Sequence, residues 1–384
     1  MVSHYFDDRG GGIEIVAARL CRALAEAAIS VCWIATALAQ PPPAARGACT
    51  RLAVRASDRL GNALGVPYPL LAPSAVRRIY REVAGTDIVM VHDALYLTSI
   101  VAALAAWRYR KPLVIVQHVG LVPYRSLILR GLMRLANRLI AARMLRRAEQ
   151  VVFISQTTLR QFAGIRLRAP AELVFNAVDT DTFSLPPSEE SVAADRTALG
   201  LPARGPVVLF VGRFVEKKGL AILERLARSL STITFAFAGR GKLDPERWQL
   251  PNVMCYRTLS GASLAPLYRA SDVLVLPSVG EGFPLVVQEA LASGLAVICG
   301  EETVAADDRA RALLTGIAVD LSAPEASARR FAEAITRELA RPGDPSHRHA
   351  RRDFAVAHYS QAASVREYLR ILRRLHGATA DSRW

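Results

Sequence analysis

The chain has 384 residues, of which 52% are hydrophobic and 22% charged, and its formal net charge is +15 at pH 7. This length exceeds one ordinary hydrophobic core, so the sequence predicts two domains. The composition excludes a disordered chain, no uninterrupted apolar run reaches the roughly 20 residues that cross a bilayer, and we expect no signal peptide.

The five cysteines stand at positions 21, 32, 49, 255 and 299 and form no C-x-x-C pair. An odd number of scattered cysteines predicts reduced thiols in a cytoplasmic protein. We therefore expect neither a disulfide framework nor a zinc site.

The positive charge lies mostly in the first half of the chain. Residues 1–180 contain 23 Lys and Arg against 11 Asp and Glu, a balance of +12, whereas the remainder contains 26 against 23, a balance of +3. This excess indicates an anionic partner: a membrane surface, a phosphorylated lipid or a nucleic acid. An Arg-rich composition without such a partner is the alternative. No basic motif is interleaved with aromatic residues, so we do not expect nucleic-acid binding.

In chain order, strand-like and helix-like segments alternate. The N-terminal "MVSHYF" provides at most a stub of a first strand before "DDRGGG", and we expect the beginning of that strand to be missing. The predicted strands of the first half are 85–93, 111–118 and 148–155, with helices at 98–109 and 125–147. Those of the second half are 205–212, 232–239, 252–256, 270–278 and 294–300.

Apolar strands that alternate with helices predict an α/β fold with parallel sheets covered on both faces. The stretch 178–205, rich in Pro, Ser and acids, predicts a linker. We therefore expect two doubly wound domains, residues 1–180 and 181–359, with ligands at the carboxyl ends of the strands and between the domains. The C-terminal helix, about residues 360–384, is expected to pack back on the first domain.

Three segments at predicted strand ends carry groups that bind anions or sugars. In "VGRFVEKKGL", Arg213 follows a strand and Lys218 precedes a helix, so two cations lie beside helix amides; a solvated basic turn is the alternative. The "GGG" at 10–12 allows close backbone approach to a phosphate, with a simple tight turn as the alternative. His118 ends a strand, at the edge of the sheet where ligands bind, which indicates a role in the site. A histidine that only forms hydrogen bonds in the core is the alternative.

Two acids stand in the stretch "PSVGEGFPLVVQEALASGLAV" (277–297). Glu281 lies in a Gly-rich loop after a buried strand, and Glu289 lies about one turn into the helix that Pro284 begins and Gly294 ends. Carboxylates accept hydrogen bonds from sugar hydroxyls, and the two cations neutralise a phosphate beside them. Together these groups predict a nucleotide diphosphate sugar as the ligand.

These motifs resemble the retaining, nucleotide-sugar-dependent glycosyltransferases of family 4, which have the GT-B fold of two facing Rossmann-like domains with a cleft between them. The resemblance covers nearly the whole chain and rests on G-R-x4-K-G in "GRFVEKKG" and E-x7-E in "EGFPLVVQE". "GGIE", "QHVG", "FAGRGK" and "ASDVLVLPS" support it. The "GRGK" is a departure, because the family has a motif closer to G-x-G-P at this position.

The resemblance implies a role for each site residue. The cations would bind the donor diphosphate, Glu289 would bind the ribose, and Glu281 and His118 would contact the transferred sugar. The residues implied in catalysis are His118, Glu281, Arg213 and Lys218. Those implied in donor binding are Gly11, Gly12, Arg213, Lys218, Gly239, Gly241, Glu281, Gly282, Phe283, Pro284, Leu285, Val286 and Glu289.

No D-x-D pair stands at a predicted strand end, so we expect no obligatory metal, and the nucleotide sugar is a substrate, so we expect no cofactor. The segment 124–147 places Arg130, Arg134 and Arg138 at a spacing of four, with leucines beside them. A basic amphipathic helix is typical of membrane-surface binding, with a packing helix as the alternative.

The resulting hypothesis is a hexosyltransferase that acts on a glycan or lipid-linked acceptor in cell-envelope polysaccharide or glycolipid synthesis. It would be cytoplasmic, with peripheral contact to the inner face of an anionic membrane. The alternatives are a nucleotide-sugar epimerase and a non-catalytic protein that binds nucleotide sugars or the membrane.

Overall fold

The structure is a computed structural model, and it describes residues 1–9, 12–37, 48–57, 70–120, 127–341 and 345–381. The chain divides into two compact units. The first unit consists of Met1–Ala177 and Gln361–Trp384, and the second consists of Val178–Ser360.

The sheet of the first unit has eight strands within the described residues. They are β1 Val2–Tyr5, β2 Val31–Ala37, β3 Cys49–Ser57, β4 Leu70–Leu71, β5 Val89–His92, β6 Leu113–Gln117, β7 Gln150–Phe153 and β8 Glu172–Leu173. Their order in the sheet is β4-β3-β2-β1-β5-β6-β7-β8. All neighbours are parallel except β3 and β4, which are antiparallel.

The helices of this unit cover both faces of the sheet. They are α1 Gly12–Glu26, α2 Pro73–Ala84, α3 Leu97–Arg108, α4 Leu127–Ala136, α5 Ala142–Arg147, α6 Gln156–Gln161 and the C-terminal helix Gln361–Asp381. A single π-helical segment, Asn137–Ala141, joins α4 to α5. One apolar cluster packs Ile79 of α2 against Val91, and the other packs Leu24 of α1 and Ile371 of the C-terminal helix against Trp33.

The C-terminal helix is also held by polar contacts within the first unit. Arg370 Nη2 lies 2.6 Å from Glu172 Oε2, and Arg374 Nη2 donates to Gln150 Oε1 at 2.6 Å. The hydrogen bond from Arg370, against a smaller opposing effect of burial, lowers the pKa of Glu172. Apolar burial and ion pairing therefore fix the last helix to the strands that begin at Gln150 and Glu172.

The expectation of reduced thiols is wrong for two of the cysteines. Cys21 of α1 and Cys49 at the start of β3 form a disulfide that closes a separation of 28 residues. Both residues are buried, because α1 packs on the face of the sheet formed by β2 and β3. The other three cysteines are free thiols, as expected.

The second unit has a sheet of six parallel strands within the described residues. They are β9 Val207–Val211, β10 Thr234–Ala238, β11 Val253–Tyr256, β12 Val273–Leu276, β13 Ala296–Gly300 and β14 Leu314–Ile317. The order β11-β10-β9-β12-β13-β14 is the 3-2-1-4-5-6 order of a Rossmann fold. The buried strands confirm the α/β prediction.

The helices of the second unit alternate with these strands. They are α7 Glu189–Ala198, α8 Leu220–Ser229, α9 Ala265–Arg269, α10 Leu285–Ala292, α11 Glu301–Val304, α12 Pro324–Leu339 and α13 Pro345–Tyr359. Short 3-10 turns stand at Asp7–Arg9 in the first unit and at Glu216–Lys218, Pro245–Trp248, Gly261–Leu264 and Asp308–Leu313 in the second.

The prediction of a linker over 178–205 is wrong, because this segment contains α7 and is part of the second unit. Ser188 caps α7 in a reciprocal capping box with Ser191. Arg196 of α7 is buried, donates to the carbonyl oxygens of Ala270 and Gly205, and pairs with Asp272 at 3.2 Å. The polar composition of the stretch therefore reflects caps and ion pairs on a packed helix.

Candidate active site

The candidate site of the second unit lies where β9 and β12 adjoin. The chain continues from β9 toward β10 on one side and from β12 toward β13 on the other, so the loops after the two strands separate. Such a switch point at the carboxyl ends of strands is where open α/β sheets bind ligands. Arg213 and Lys218 follow β9, and Glu281 follows β12.

Two glycines allow these loops to approach one another. Gly219 has φ of 75°, and a Cβ there would lie 2.3 Å from the carbonyl oxygen of Pro277. Gly239, after β10, has φ of 151°, and a Cβ there would lie 2.0 Å from the carbonyl oxygen of Gly212. A side chain at either position would force the strand ends apart, so the local sequence sets the geometry of the site.

One cation and one acid of the predicted set are in contact. Nζ of Lys218 lies 3.1 Å from Oε2 of Glu281, and Nζ of Lys217 lies 3.1 Å from Oε1. Lys217 was not among the predicted residues. The sequence shows it as the first of two adjacent lysines in "EKKG". The spacing along the chain does not predict that this lysine pairs with Glu281.

Burial and charge oppose each other at this cluster. Burial would raise the pKa of Glu281, but the ammonium groups of Lys218 and Lys217 outweigh it and hold the pKa below its ordinary value. Burial lowers the pKa of Lys218, and the nearby Lys217 and Arg213 add to this effect while Glu281 opposes it. Glu281 is therefore a fixed carboxylate at neutral pH.

Arg213 stands at the open side of this cluster. Its side chain is exposed, and it forms no ion pair with any residue that the structure describes. It stands five positions before Lys218, and its charge contributes to the lowered pKa of Lys218. An exposed guanidinium beside a buried ammonium can bind a diphosphate, because Arg supplies a bidentate fork and Lys a point charge.

Glu289 is the fifth residue of α10 and is buried. The hydroxyl of Tyr268, from α9, donates to its Oε2 at 2.9 Å. Tyr268 was not predicted, although it stands two residues before the strand motif "ASDVLVLPS". Tyr268 is buried and packs in a T-shaped arrangement with Phe183 at a centroid distance of 5.3 Å, which fixes one oxygen of Glu289 in place.

The loop between the two acids has mixed roles. Phe283 is buried, and its ring centroid lies 5.5 Å from that of Tyr359, so its side chain packs in the core of the unit. Pro284 is the N-cap residue of α10, one position before the helix begins. Gly282 is half-buried before it, and Leu285 and Val286 begin the first turn, whose amides have no acceptor within the helix.

The remaining predicted glycines are positioned by the backbone. A Cβ at Gly241 would lie 2.2 Å from the carbonyl oxygen of Phe214, with which Gly241 forms an isolated parallel bridge. Gly239 and Gly241 thus hold the loop after β10 against the loop after β9. Gly12 is the exposed first residue of α1, and Gly11 lies outside the described residues.

His118 belongs to the first unit, directly after β6, and is part of a buried polar cluster. Its Nε2 lies 2.9 Å from Nδ1 of His92, at the end of β5. Nε2 of Gln117 donates to Oδ1 of Asp93 at 2.5 Å, and Oε1 of Gln117 accepts from the amide of Ala94 at 3.2 Å. The backbone of Asp93 has a left-handed conformation, with a φ of 65°.

Burial determines the protonation of this cluster. It lowers the pKa of His92, with a further contribution from His118, and it lowers the pKa of His118 to about 3. It raises the pKa of Asp93 to about 8, although the amides of Val119 and His118 act in the opposite direction. At neutral pH the two imidazoles are therefore neutral. Sequence reasoning missed His92, Asp93 and Gln117, whose signal was "HD" and "QH" at the carboxyl ends of two adjacent strands.

Neither a metal cluster nor a membrane span was found in the described part of the chain. No group of three or more His, Cys, Asp or Glu residues there is placed to hold a metal ion. Among the described helices, none has the length and hydropathy needed to cross a bilayer.

Two family models match the chain in succession. Residues 10–182 match the Glycosyltransferase Family 4 model, and residues 205–341 match the Glycosyl transferases group 1 model. The D-inositol 3-phosphate glycosyltransferase of Kineococcus radiotolerans is 28% identical over 313 residues, which cover 74% of this chain and 71% of that protein. That of Xylanimonas cellulosilytica is 34% identical over 161 residues, and the match spans only 37% of either protein.

Solved structures share the whole fold. Sucrose-phosphate synthase from Thermosynechococcus elongatus has a TM-score of 0.75 at 20% identity, covering 98% of both chains. Anabaena HepE, in complex with UDP and glucose, has a TM-score of 0.71 at 17% identity, covering 97% of this chain and 99% of the other. At such identities the likeness establishes the fold alone.

Two parallel-sheet α/β units with these structural neighbours define the GT-B fold. The two family matches together span most of the chain. The protein belongs to glycosyltransferase family 4, which confirms the prediction made from its motifs.

Proposed function

We propose that this glycosyltransferase moves a hexose-type sugar from a nucleotide diphosphate sugar to a glycan or lipid-linked acceptor, with retention of the anomeric configuration. The observation that carries the proposal is the Lys217–Lys218–Glu281 cluster beside Arg213, at the switch point of the second unit. It combines cations for a diphosphate with a fixed carboxylate for a sugar hydroxyl.

The donor is assigned from the chemistry of each group. Arg213 and Lys218 bind the diphosphate, and the first amides of α10 add donors at a helix N-terminus. Glu289, oriented by Tyr268, accepts from the ribose hydroxyls. Glu281 contacts the transferred sugar. A structural neighbour, Anabaena HepE, has been solved with UDP-glucose, which supports a uridine nucleotide as the first donor to test.

The reaction breaks the bond between the sugar and the diphosphate. Positive charge develops on the sugar ring and negative charge on the departing phosphate, so Arg213 and Lys218 stabilise the transition state more than the ground state. The leaving phosphate can accept the proton of the acceptor hydroxyl on the same face of the sugar, which gives retention. The cations take the place of a divalent metal, so we propose no obligatory metal.

The acceptor is proposed to be presented at an anionic membrane. In the helical region from α4 to α5, the side chains of Leu132, Leu135 and Leu139 are 59%, 53% and 50% exposed. Arg134 and Arg138 stand exposed between them. Exposed leucines that alternate with arginines match a surface whose apolar groups enter the bilayer and whose cations meet anionic headgroups. Cell-envelope polysaccharide or glycolipid synthesis is the setting in which such an acceptor occurs.

The test is a thermal-shift screen with UDP-, GDP- and ADP-sugars, followed by NMR analysis of the product with the best donor. We expect one donor class to raise the melting temperature and the product to keep the donor's anomeric configuration. An inverted product would reject retention. Stabilisation without transfer to any acceptor would favour the non-catalytic alternative, and conversion of the donor to its stereoisomer would favour the epimerase.

A further inference from the structure

A basic cavity lies in the first unit, at the edge of the sheet where β6 and β7 begin. It encloses about 510 Å³. The side chains that matter in its lining are Trp107, Arg110, Lys111, Arg147, Glu149 and Arg168. His118 follows the carboxyl end of β6, at the opposite edge of the same sheet, so this cavity is separate from the predicted site residues of the unit.

The cavity has an excess of positive charge. Four cations face one carboxylate, and that carboxylate is already engaged: Glu149 pairs with Arg168 at 2.5 Å and accepts from the amide of Leu113 at 2.8 Å. Arg110, Lys111 and Arg147 form no ion pair with any residue in the described ranges. The C-termini of α3 and α5 contribute roughly half a negative charge each, which leaves a balance of about +2.

Trp107 adds an unused donor. Its indole N–H is buried and has no acceptor among the described residues. The guanidinium carbon of Arg147 lies 5.1 Å from the centre of the indole ring. An indole nitrogen can only donate, so the cavity presents cations and a neutral donor but no free acceptor from these side chains.

We propose that this cavity binds a phosphate group. A phosphate ester carries close to two negative charges and strong acceptor oxygens, and guanidinium groups bind it in a bidentate manner. The volume is within the roughly 300–1,000 Å³ of small-molecule sites and leaves room for a group esterified to the phosphate. The ester is either a soluble phosphate compound or the headgroup of an anionic phospholipid. This site is independent of the donor site and of the proposed transferase reaction.

The test compares two double variants of the full chain. Arg110→Gln with Arg147→Gln removes two charges from the cavity. Arg108→Gln with Arg146→Gln removes two charges from exposed neighbours in the sequence that do not line it. Binding of glycerol 3-phosphate is measured by calorimetry. Binding of vesicles of phosphatidic acid in phosphatidylcholine is measured by sedimentation.

We expect binding of at least one probe to the wild type, and binding about tenfold weaker in the cavity variant but little changed in the control. Binding of glycerol 3-phosphate that is weakened in the cavity variant identifies a soluble ester. Binding of the vesicles alone that is weakened in the cavity variant identifies a lipid headgroup. Failure of both probes to bind, or equal loss in the two variants, would overturn the proposal. Lys111→Glu serves as a second cavity variant, and melting curves show whether each variant is folded.

Discussion

The hydroxyl of Tyr268 donates a hydrogen bond of 2.9 Å to Oε2 of Glu289, and both residues are buried. Burial, followed by the negative charge of Glu289, raises the pKa of Tyr268 well above its ordinary value, so the hydroxyl keeps its proton. The pair comes from two helices on either side of β12. Tyr268 therefore acts as a positioning residue for the carboxylate assigned to the ribose.

Replacing Tyr268 with Phe should weaken donor binding more than it slows turnover. One hydrogen bond to a charged group would be lost, which corresponds to a rise in the donor KM of about tenfold. Steady-state kinetics with varied donor measures this split between KM and kcat. Tyr368→Phe is the matched control, because it removes a buried hydroxyl from the first unit. A fall in kcat at unchanged KM would contradict the role given to Tyr268.

Arg213→Ala should mainly slow the reaction. The guanidinium is exposed and forms no ion pair among the described residues, so its removal leaves the fold intact. Loss of one group that stabilises the leaving diphosphate costs about 10²–10³ in kcat. Arg228→Ala, on an exposed face of α8, is the control and should keep full activity. Equal kinetics for both variants would reject the site.

Asp93 should make the first unit less stable as the pH rises. Its pKa is about 8 in the folded chain, whereas an unfolded Asp has a pKa of about 3.9. Below the lower value both states are protonated and Asp93 has no effect. Between the two values the unfolded state releases its proton first, so stability falls with pH, by a few kcal/mol in total.

Asp93→Asn should remove this loss, because the amide keeps an Oδ1 to accept from Gln117 and Val119. Chemical denaturation at pH values from about 5 to about 8, which lie between the two pKa values, measures the free energy of unfolding of both proteins. The advantage of Asp93→Asn should grow across this range. A constant difference would show that Asp93 is ionised throughout.

The Cys21–Cys49 disulfide should stabilise the first unit. Closing a separation of 28 residues contributes about 3–4 kcal/mol through the entropy of the unfolded chain. Reductant should lower the melting temperature of the wild type but leave a Cys21→Ala/Cys49→Ala variant unchanged. Cys32→Ala with Cys255→Ala, which removes two free thiols, should respond to reductant like the wild type. Five reactive thiols in the unfolded, unreduced chain would contradict the pairing.

The exposed leucines should determine membrane contact. Leu135→Gln with Leu139→Gln is expected to weaken binding to anionic vesicles, measured by sedimentation, by about a hundredfold, because each buried leucine contributes about 1.5 kcal/mol or more. Leu104→Gln with Leu243→Gln is the control, since these leucines are 46% and 43% exposed elsewhere on the protein. Equal binding by both double variants would show that the membrane is not bound through this surface.

Local patterns predicted most of the interior strands and the edge strand β11, but they missed β2, β3, β4, β8 and β14. β6, β9 and β12 are buried throughout, so continuous apolar residues identified them. β3 alternates buried and exposed residues near an edge, and β14 is only partly buried, so neither produced a long apolar run. Segment 178–205 was misassigned because its helix is stabilised by Ser188 and Arg196, whose polarity resembles that of a linker.

The sequence alone determined the type of fold and the residue types of the donor site, because strand-end motifs such as "GRFVEKKG" and "EGFPLVVQE" have short-range spacing. Tertiary structure decided the pairings: Lys217 with Glu281, Tyr268 with Glu289, and Cys21 with Cys49. Each pair joins residues on different elements. Which elements adjoin depends on the order of strands in the sheet and on the packing of helices over it, and spacing along the chain does not encode either.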